Sequence, residues 1–439
     1  MPPLLIDLSH TSHTRARTGV QRVARSLRTA LGADAIAITH DPHRRAWRPL
    51  EGWEEANLTH PGGSPGRRAR WPLARRWRGA LRRLLGAEPA PLPANAGLIV
   101  PEIFSPGVAA ALPGLFRETG GPRLAIFHDA IALRLPELTP FGTVARFPAY
   151  LQELLAFDGI AAVSADSRDA LVDYWRWLGI KRTPPVRAIP LGTDLEAAPP
   201  PVGPLPKTPM VLCVGSIEGR KNHLALLDAA EQLWARGSRF ELRLIGLVQP
   251  ATGARALARL RALQAAGRPV RHEGAAEDAA VAAAYAACSF TVYPSIAEGF
   301  GLPVLESVAR GKPCVCSSRG ALGEAAAGGG CLTVKEVSPG GLAEAIGRLL
   351  AEPALLAELC GGPPPPDPQL AGSRRGCHRL AGRTALRAEV GEPAPPGELS
   401  FAIPRGGNHG SPPCRSASSP AIGRPCSPVA RTITRRRCG

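Results

Sequence analysis

The chain has 439 residues, 44% of them hydrophobic, and a formal net charge of +17 with a pI near 10.2. That length allows two domains and a tail with ample apolar material for their cores. The ten cysteines show neither a disulfide framework nor zinc spacing, and no apolar run approaches bilayer length, which points away from secreted and membrane-spanning classes.

The first thirty residues lack the apolar run of a signal peptide, because Asp7, His10 and His13 interrupt it; a cytoplasmic enzyme is expected. LLIDLS at 4–9 reads as a buried first strand. TGVQRV at 18–23 enters a helix running to about Leu31, with Gly19 at its amino end, where free amides face a phosphate. His10–His13 and His40–His43 have zinc-like gaps without the rest of a ligand set, so both pairs read as surface residues.

The span 41–95 reads as a basic insertion. Within it, 67–86 (RRARWPLARRWRGALRRLLG) holds eight arginines and two tryptophans. From Pro72 onward, Leu73, Trp77, Leu81, Leu84 and Leu85 form an apolar stripe. Arg75, Arg76, Arg78, Arg82 and Arg83 lie mostly elsewhere around the helix. Two readings stay open: a helix lying on an anionic membrane surface, at the inner face of the membrane, or an insertion whose stripe packs on the core.

LAIFHD at 124–129 is a strand ending in His128–Asp129. AAVSADSRDAL at 161–171 gives a strand, a serine turn and a helix, with Asp166 or Ser167 as its cap. PLGTDL at 190–195 closes a first half taken as 1–200.

The second half, 207–360, carries two strand–loop–helix units. MVLCVGSIEGRK at 210–221 is a strand and a turn-rich loop delivering Arg220 and Lys221, followed by a helix from about His223 to Trp234. Adjacent cations in such a loop suit a diphosphate, because Arg can bond two oxygens and Lys acts as a point charge. FTVYPSIAEGFGLPVLESVAR at 290–310 repeats the plan. Gly299 and Gly301 free the backbone, Pro303 is expected at the first helical position, and the helix start favours a phosphate. Glu298 lies in the loop and Glu306 about one turn into the helix, where ionised carboxylates accept hydrogen bonds from hydroxyls. Cys314 and Cys316 alternate on a strand and share a buried face. The helix LLAEPALLAEL ends near Leu359. Beyond it, 361–439 has 14 of the 47 prolines, twelve arginines and no lysine, and is expected to be disordered. A reading-frame change near Cys360 is one hypothesis for that shift.

On GSIEGRKN, LRLIG at 242–246 and YPSIAEGFGLPVLESVARGKPCVCSS, the segment from about 210 to 359 resembles the donor-binding half of the family-4 retaining glycosyltransferases. TGVQRV, the His–Asp pair and PLGTD resemble the same family more loosely. The resemblance implies an α/β GT-B fold, two Rossmann-like domains facing across a cleft. It implies that Arg220 and Lys221 neutralise a donor diphosphate, that Glu298 bonds the sugar with the amides of Gly299, Phe300 and Gly301, and that Glu306 binds ribose. His128 would lie near the reacting sugar. The implied reaction moves a hexose, mannose among the candidates, from a nucleoside diphosphate sugar to a saccharide or lipid-linked saccharide, with retained configuration, no metal and no further cofactor. The family's chain continues with helices that the tail does not match, which bears on domain closure. Alternatives are an inactive or truncated glycosyltransferase-like protein that binds nucleotide sugar, and a nucleic-acid-binding protein using its Arg/Trp segments, although no nucleic-acid-binding motif is evident. A Rossmann oxidoreductase would need a G-x-G-x-x-G after the first strand, which is missing.

Overall fold

The computed structural model describes residues 3–60, 69–87, 89–191 and 207–360. The tail 361–439, most of PLGTDL and residues 67 and 68 of the arginine-rich stretch lie outside them.

Short apolar runs make two sheets. The first contains β1 (Leu4–Asp7), β2 (Ala35–Asp41), β3 (Ala46–Pro49), β4 (Ala96–Val100), β5 (Gly120–Phe127), β6 (Gly159–Ala162) and β7 (Val186–Ala188), in the order β3-β2-β1-β4-β5-β6-β7. The second contains β8 (Met210–Val214), β9 (Glu241–Ile245), β10 (Val270–Glu273), β11 (Phe290–Tyr293), β12 (Cys314–Ser317) and β13 (Cys331–Val334), in the order β10-β9-β8-β11-β12-β13. Their pairings are parallel, except that β3 runs antiparallel to β2 at the edge. Helices cover both faces, so alternate strand residues enter different cores. Val211 and Cys213 of β8 lie in one apolar cluster and Leu212 in another. Val315 of β12 faces away from Cys314 and Cys316, which share a buried cluster as expected. This two-sided burial is why these strands read as continuous apolar runs.

In each sheet the order reverses once, between β1 and β4 and between β8 and β11. Parallel sheets leave a crevice at the carboxyl ends of the strands there. The loops expected to carry chemistry follow β1, β8 and β11, with β5 leading to His128.

Several local expectations are corrected. Ser164, rather than Asp166 or Ser167, caps the helix Ala165–Trp177, accepting from the Ser167 amide. Pro303 is the second residue of the helix Leu302–Ala309, because Gly301 at φ +107° takes the cap and Leu302 the first turn. None of the four histidines read as surface residues is exposed. His13 is buried, with Nε2 2.7 Å from Glu54 Oε1 and its ring stacked on Trp71. The span read as a basic insertion supplies edge strand β3 and the helices Gly52–Thr59 and Leu73–Leu84. The stripe on the second of these does not pack on the core: Trp77 is 76% exposed and Leu84 85%.

The two halves are joined by side chains that cross between them. Phe300, from the loop after β11, is buried in a cluster whose other buried members come from the first half, Leu4, Ile6, Ile126 and Val163 among them. Glu324 of the second half accepts from the amides of Ala165 and Asp166, supplying an acidic group to a helix start in the first. Phe300→Ala empties the shared cluster. Urea unfolding is expected to show a loss of roughly 3–5 kcal/mol, the usual cost of truncating a buried phenylalanine; an unchanged midpoint contradicts the packing described here.

Candidate active site

The loops after β8 and β11 meet at the second switch point, and Glu298 is the centre of their contact. Arg220 Nη1 lies 2.5 Å from its Oε2 and Lys221 Nζ 3.2 Å from its Oε1. The hydroxyls of Tyr293 and Ser295 each donate to Oε1 at 2.8 Å. Lys221 in turn donates to the Tyr293 oxygen, making a chain from ammonium through phenol to carboxylate. The second Nη of Arg220 lies 2.8 Å from Glu218. Burial works to raise the Glu298 carboxyl, but Arg220 and then Lys221 outweigh it and hold it at about 2, below the ordinary 4.5. Burial opposes the charge on Arg220 as well, and Glu298 followed by Glu218 raises its pKa regardless. The turn that delivers Arg220 and Lys221 is therefore an engaged cluster of two cations and two carboxylates.

Glu306 faces the other half. Its carboxylate is buried, with Oε1 2.5 Å from Nη1 of Arg22 on the helix Gly19–Leu31. The contact is an ion pair without hydrogen-bond geometry, so that oxygen keeps an unused acceptor position. Gly19 opens the same helix three residues earlier, behind a capping box of Thr18 and Gln21. A Cβ at Gly19 would meet nothing within 4 Å, so this helix end is open. The preceding loop is shaped by Glu102, which follows β4 and accepts from the amides of His10 and Thr11.

His128 and Gly299 bring the halves into backbone contact. A Cβ on Gly299 would lie 2.1 Å from the His128 carbonyl oxygen, so only glycine fits there. The Ser164 and Ser167 hydroxyls lie 2.7 and 3.1 Å from the Gly299 carbonyl oxygen and tie the contact down. His128 Nε2 is 2.7 Å from the Pro101 carbonyl, which can only accept, so Nε2 carries the proton. Burial lowers the pKa of this imidazole and favours the neutral ring, leaving Nδ1 for a further partner. Gly301 needs to be glycine for its positive φ, whereas Gly299 needs to be glycine for space. With its ring in the first-half cluster, Phe300 has only backbone to offer a ligand.

The structure thus gathers Arg220, Lys221, Glu298 and Tyr293 in one cluster, joins Glu298's neighbour Gly299 to His128, and sets Glu306 against the helix of Gly19. Sequence reading missed Arg22, Tyr293, Glu218 and Ser164. Tyr293 ends β11 with its ring in the buried cluster of Cys314 and Cys316, and Arg22 lies one turn into TGVQRV; neither position declares its partner. Among the described residues no group of three or more His, Cys, Asp or Glu could hold a metal ion.

Residues 208–352 match the family model for glycosyl transferases group 1. The second half of this chain is similar to the glycosyl transferases group 1. Over 331 residues the chain is 26% identical to the serotype-specific mannosyltransferase WbdA of Escherichia coli, a match covering 71% of this chain and 38% of WbdA. The chain therefore spans about two fifths of the length of the curated relatives it matches. Among solved structures, Anabaena HepE in complex with UDP and glucose superposes with a TM-score of 0.58 at 15% identity, covering 85% of this chain and 95% of HepE. Sucrose-phosphate synthase from Thermosynechococcus elongatus gives 0.56 at 20% identity, covering 82% and 92%. The fold is GT-B, and the half that matches the group 1 model carries Arg220, Lys221, Glu298 and Glu306.

Two outcomes follow from this geometry. Gly299→Ala sets a methyl against the His128 carbonyl, and backbone cannot rotate away. A lowered thermal midpoint is expected, together with weakened protection from amide exchange around His128; wild-type values for both contradict the contact. Glu298 binds fewer protons in the folded chain than in the unfolded one between its two pKa values. Its contribution is present above about 4.5 and is lost as pH falls toward about 2. Glu298→Gln should lower stability at neutral pH and flatten the acid limb of the stability curve over that window. Parallel curves for the two proteins would contradict the paired, ionised carboxylate.

Proposed function

We propose that this chain is a retaining glycosyltransferase that moves a hexose, mannose foremost, from a nucleoside diphosphate sugar to a hydroxyl of a surface polysaccharide or lipid-linked saccharide. The observation that carries the reading is the buried Glu298 bonded to Arg220 and Lys221 at the switch point, one residue from the contact with His128. The likeness to a mannosyltransferase supports the choice of mannose.

In this reading the donor diphosphate takes over contacts that Arg220 and Lys221 now make with carboxylates, assisted by the amides at the start of the helix Leu302–Ala309. Stabilising the departing diphosphate is the main electrostatic task, and pre-placed cations in a dry site do it well. Glu298, released in part from its cations, accepts from sugar hydroxyls, and its charge favours an oxocarbenium-like transition state. The amides of Gly299, Phe300 and Gly301 support the sugar, and neutral His128 offers Nδ1 to it. Glu306 exchanges its pairing with Arg22 for the ribose hydroxyls, and Gly19 presents an open helix end to the phosphates. No step calls on a metal. Contact between the halves excludes water, the competing acceptor.

A screen of nucleotide sugars for slow donor hydrolysis, read by release of nucleoside diphosphate, tests the reading and names the donor. GDP-mannose is expected to be turned over, with an anomeric product of retained configuration by proton NMR, and Glu298→Gln is expected to lower turnover by about a hundredfold. Binding of nucleoside diphosphates without turnover of any sugar would favour a binding protein that has lost transfer; no binding at all would reject the reading.

A further inference from the structure

The helix Leu73–Leu84 is mounted the opposite way round from an ordinary surface helix. Its polar side faces the protein. Gly79 is buried so closely that a Cβ would lie 2.9 Å from His43 Cβ, and Arg75 and Arg82 on the same side reach Glu51 at 2.8 and 3.7 Å. At 100° per residue, the apolar stripe then lies on the far side. Leu73, Trp77, Leu81, Leu84 and Leu85 are 67%, 76%, 55%, 85% and 71% exposed. Arg76, Arg78 and Arg83, also exposed, flank the stripe on both sides. The segment 69–87 contains no Asp or Glu.

We propose that this face is a docking surface for an anionic phospholipid bilayer. Trp and Leu enter the interface while the flanking arginines meet headgroup phosphates, the division of labour of a helix that lies in the membrane plane. Among the described residues no helix is long and apolar enough to cross a membrane, and this mode of attachment needs none. Charge argues against the other occupants. A second copy of a chain with net charge +17 brings like charge to a basic helix. The segment 361–439, with twelve arginines against four acidic residues, does the same. A nucleic acid would satisfy the arginines and leave the leucine stripe in water. The inference stands on the helix alone and does not depend on the enzymatic reading, so each can fail without the other.

Co-sedimentation of the full chain with vesicles tests it, using phosphatidylcholine with and without about one third phosphatidylglycerol. The expected result is binding to the anionic vesicles, weakened by salt at about 0.5 M. Trp77→Ser with Leu81→Ser should lower partitioning by about tenfold or more, and Arg76→Ser with Arg83→Ser should lower it too. These side chains are exposed, so both variants should keep the wild-type thermal midpoint. Wild-type and variant proteins binding alike would assign any attraction to other basic segments and overturn the proposal. So would the absence of vesicle binding, or a dimer that the Trp77→Ser/Leu81→Ser variant dissociates.

Discussion

An ionised carboxylate in a buried loop is unfavourable unless opposite charge meets it, and Glu298 is met by two cations and two hydroxyls. That single requirement fixes the distance between the loops after β8 and β11, because Arg220 and Lys221 come from one and Glu298 from the other. It also fixes the path of the residues that follow. With Glu298 anchored, Gly299 is delivered to the His128 carbonyl, Phe300 to the first-half cluster and Gly301 to the helix cap. Removing one partner would leave buried charge uncompensated, a loss usually larger than the attraction itself. The site is therefore a structural joint as well as the place proposed for chemistry.

The same joint makes the two halves depend on each other. Ser164 and Ser167 hold the Gly299 carbonyl, Glu324 serves a helix start in the first half, and Arg22 answers Glu306. Each contact pairs a group that would otherwise lose hydrogen-bonding or charge partners on closing. In the proposed reaction, ligand groups replace several of these partners, with sugar hydroxyls at Glu298, ribose at Glu306 and diphosphate at Arg220 and Lys221. The interactions that join the two halves are thus of the same chemical kinds as those that would bind the donor.

Much of this was legible in the sequence. Two-sided burial makes parallel strands read as apolar runs, so LLID, LAIF, MVLCV and FTVY stood out, and the glycine-bearing loops after two of them carried the charged residues. Partnerships across the switch point were not legible, because spacing along the chain does not report which loops the strand order brings together. Arg220 and Glu298, 78 residues apart, each looked available for a ligand, yet they hold each other. His13 looked like a surface residue because Glu54, its buried partner, lies 41 residues away. The amphipathic pattern of 73–84 showed two faces but could not say which one Glu51 and His43 would take.

The central claim is that Arg220 and Lys221, placed by Glu298, receive a nucleoside diphosphate. Isothermal titration calorimetry of GDP and UDP with the full chain and with Arg220→Ala/Lys221→Ala measures it most directly. At roughly 1.5–3 kcal/mol for each charge-assisted contact, the double variant should bind about a hundredfold more weakly or worse. Affinity unchanged in a folded double variant would contradict the account.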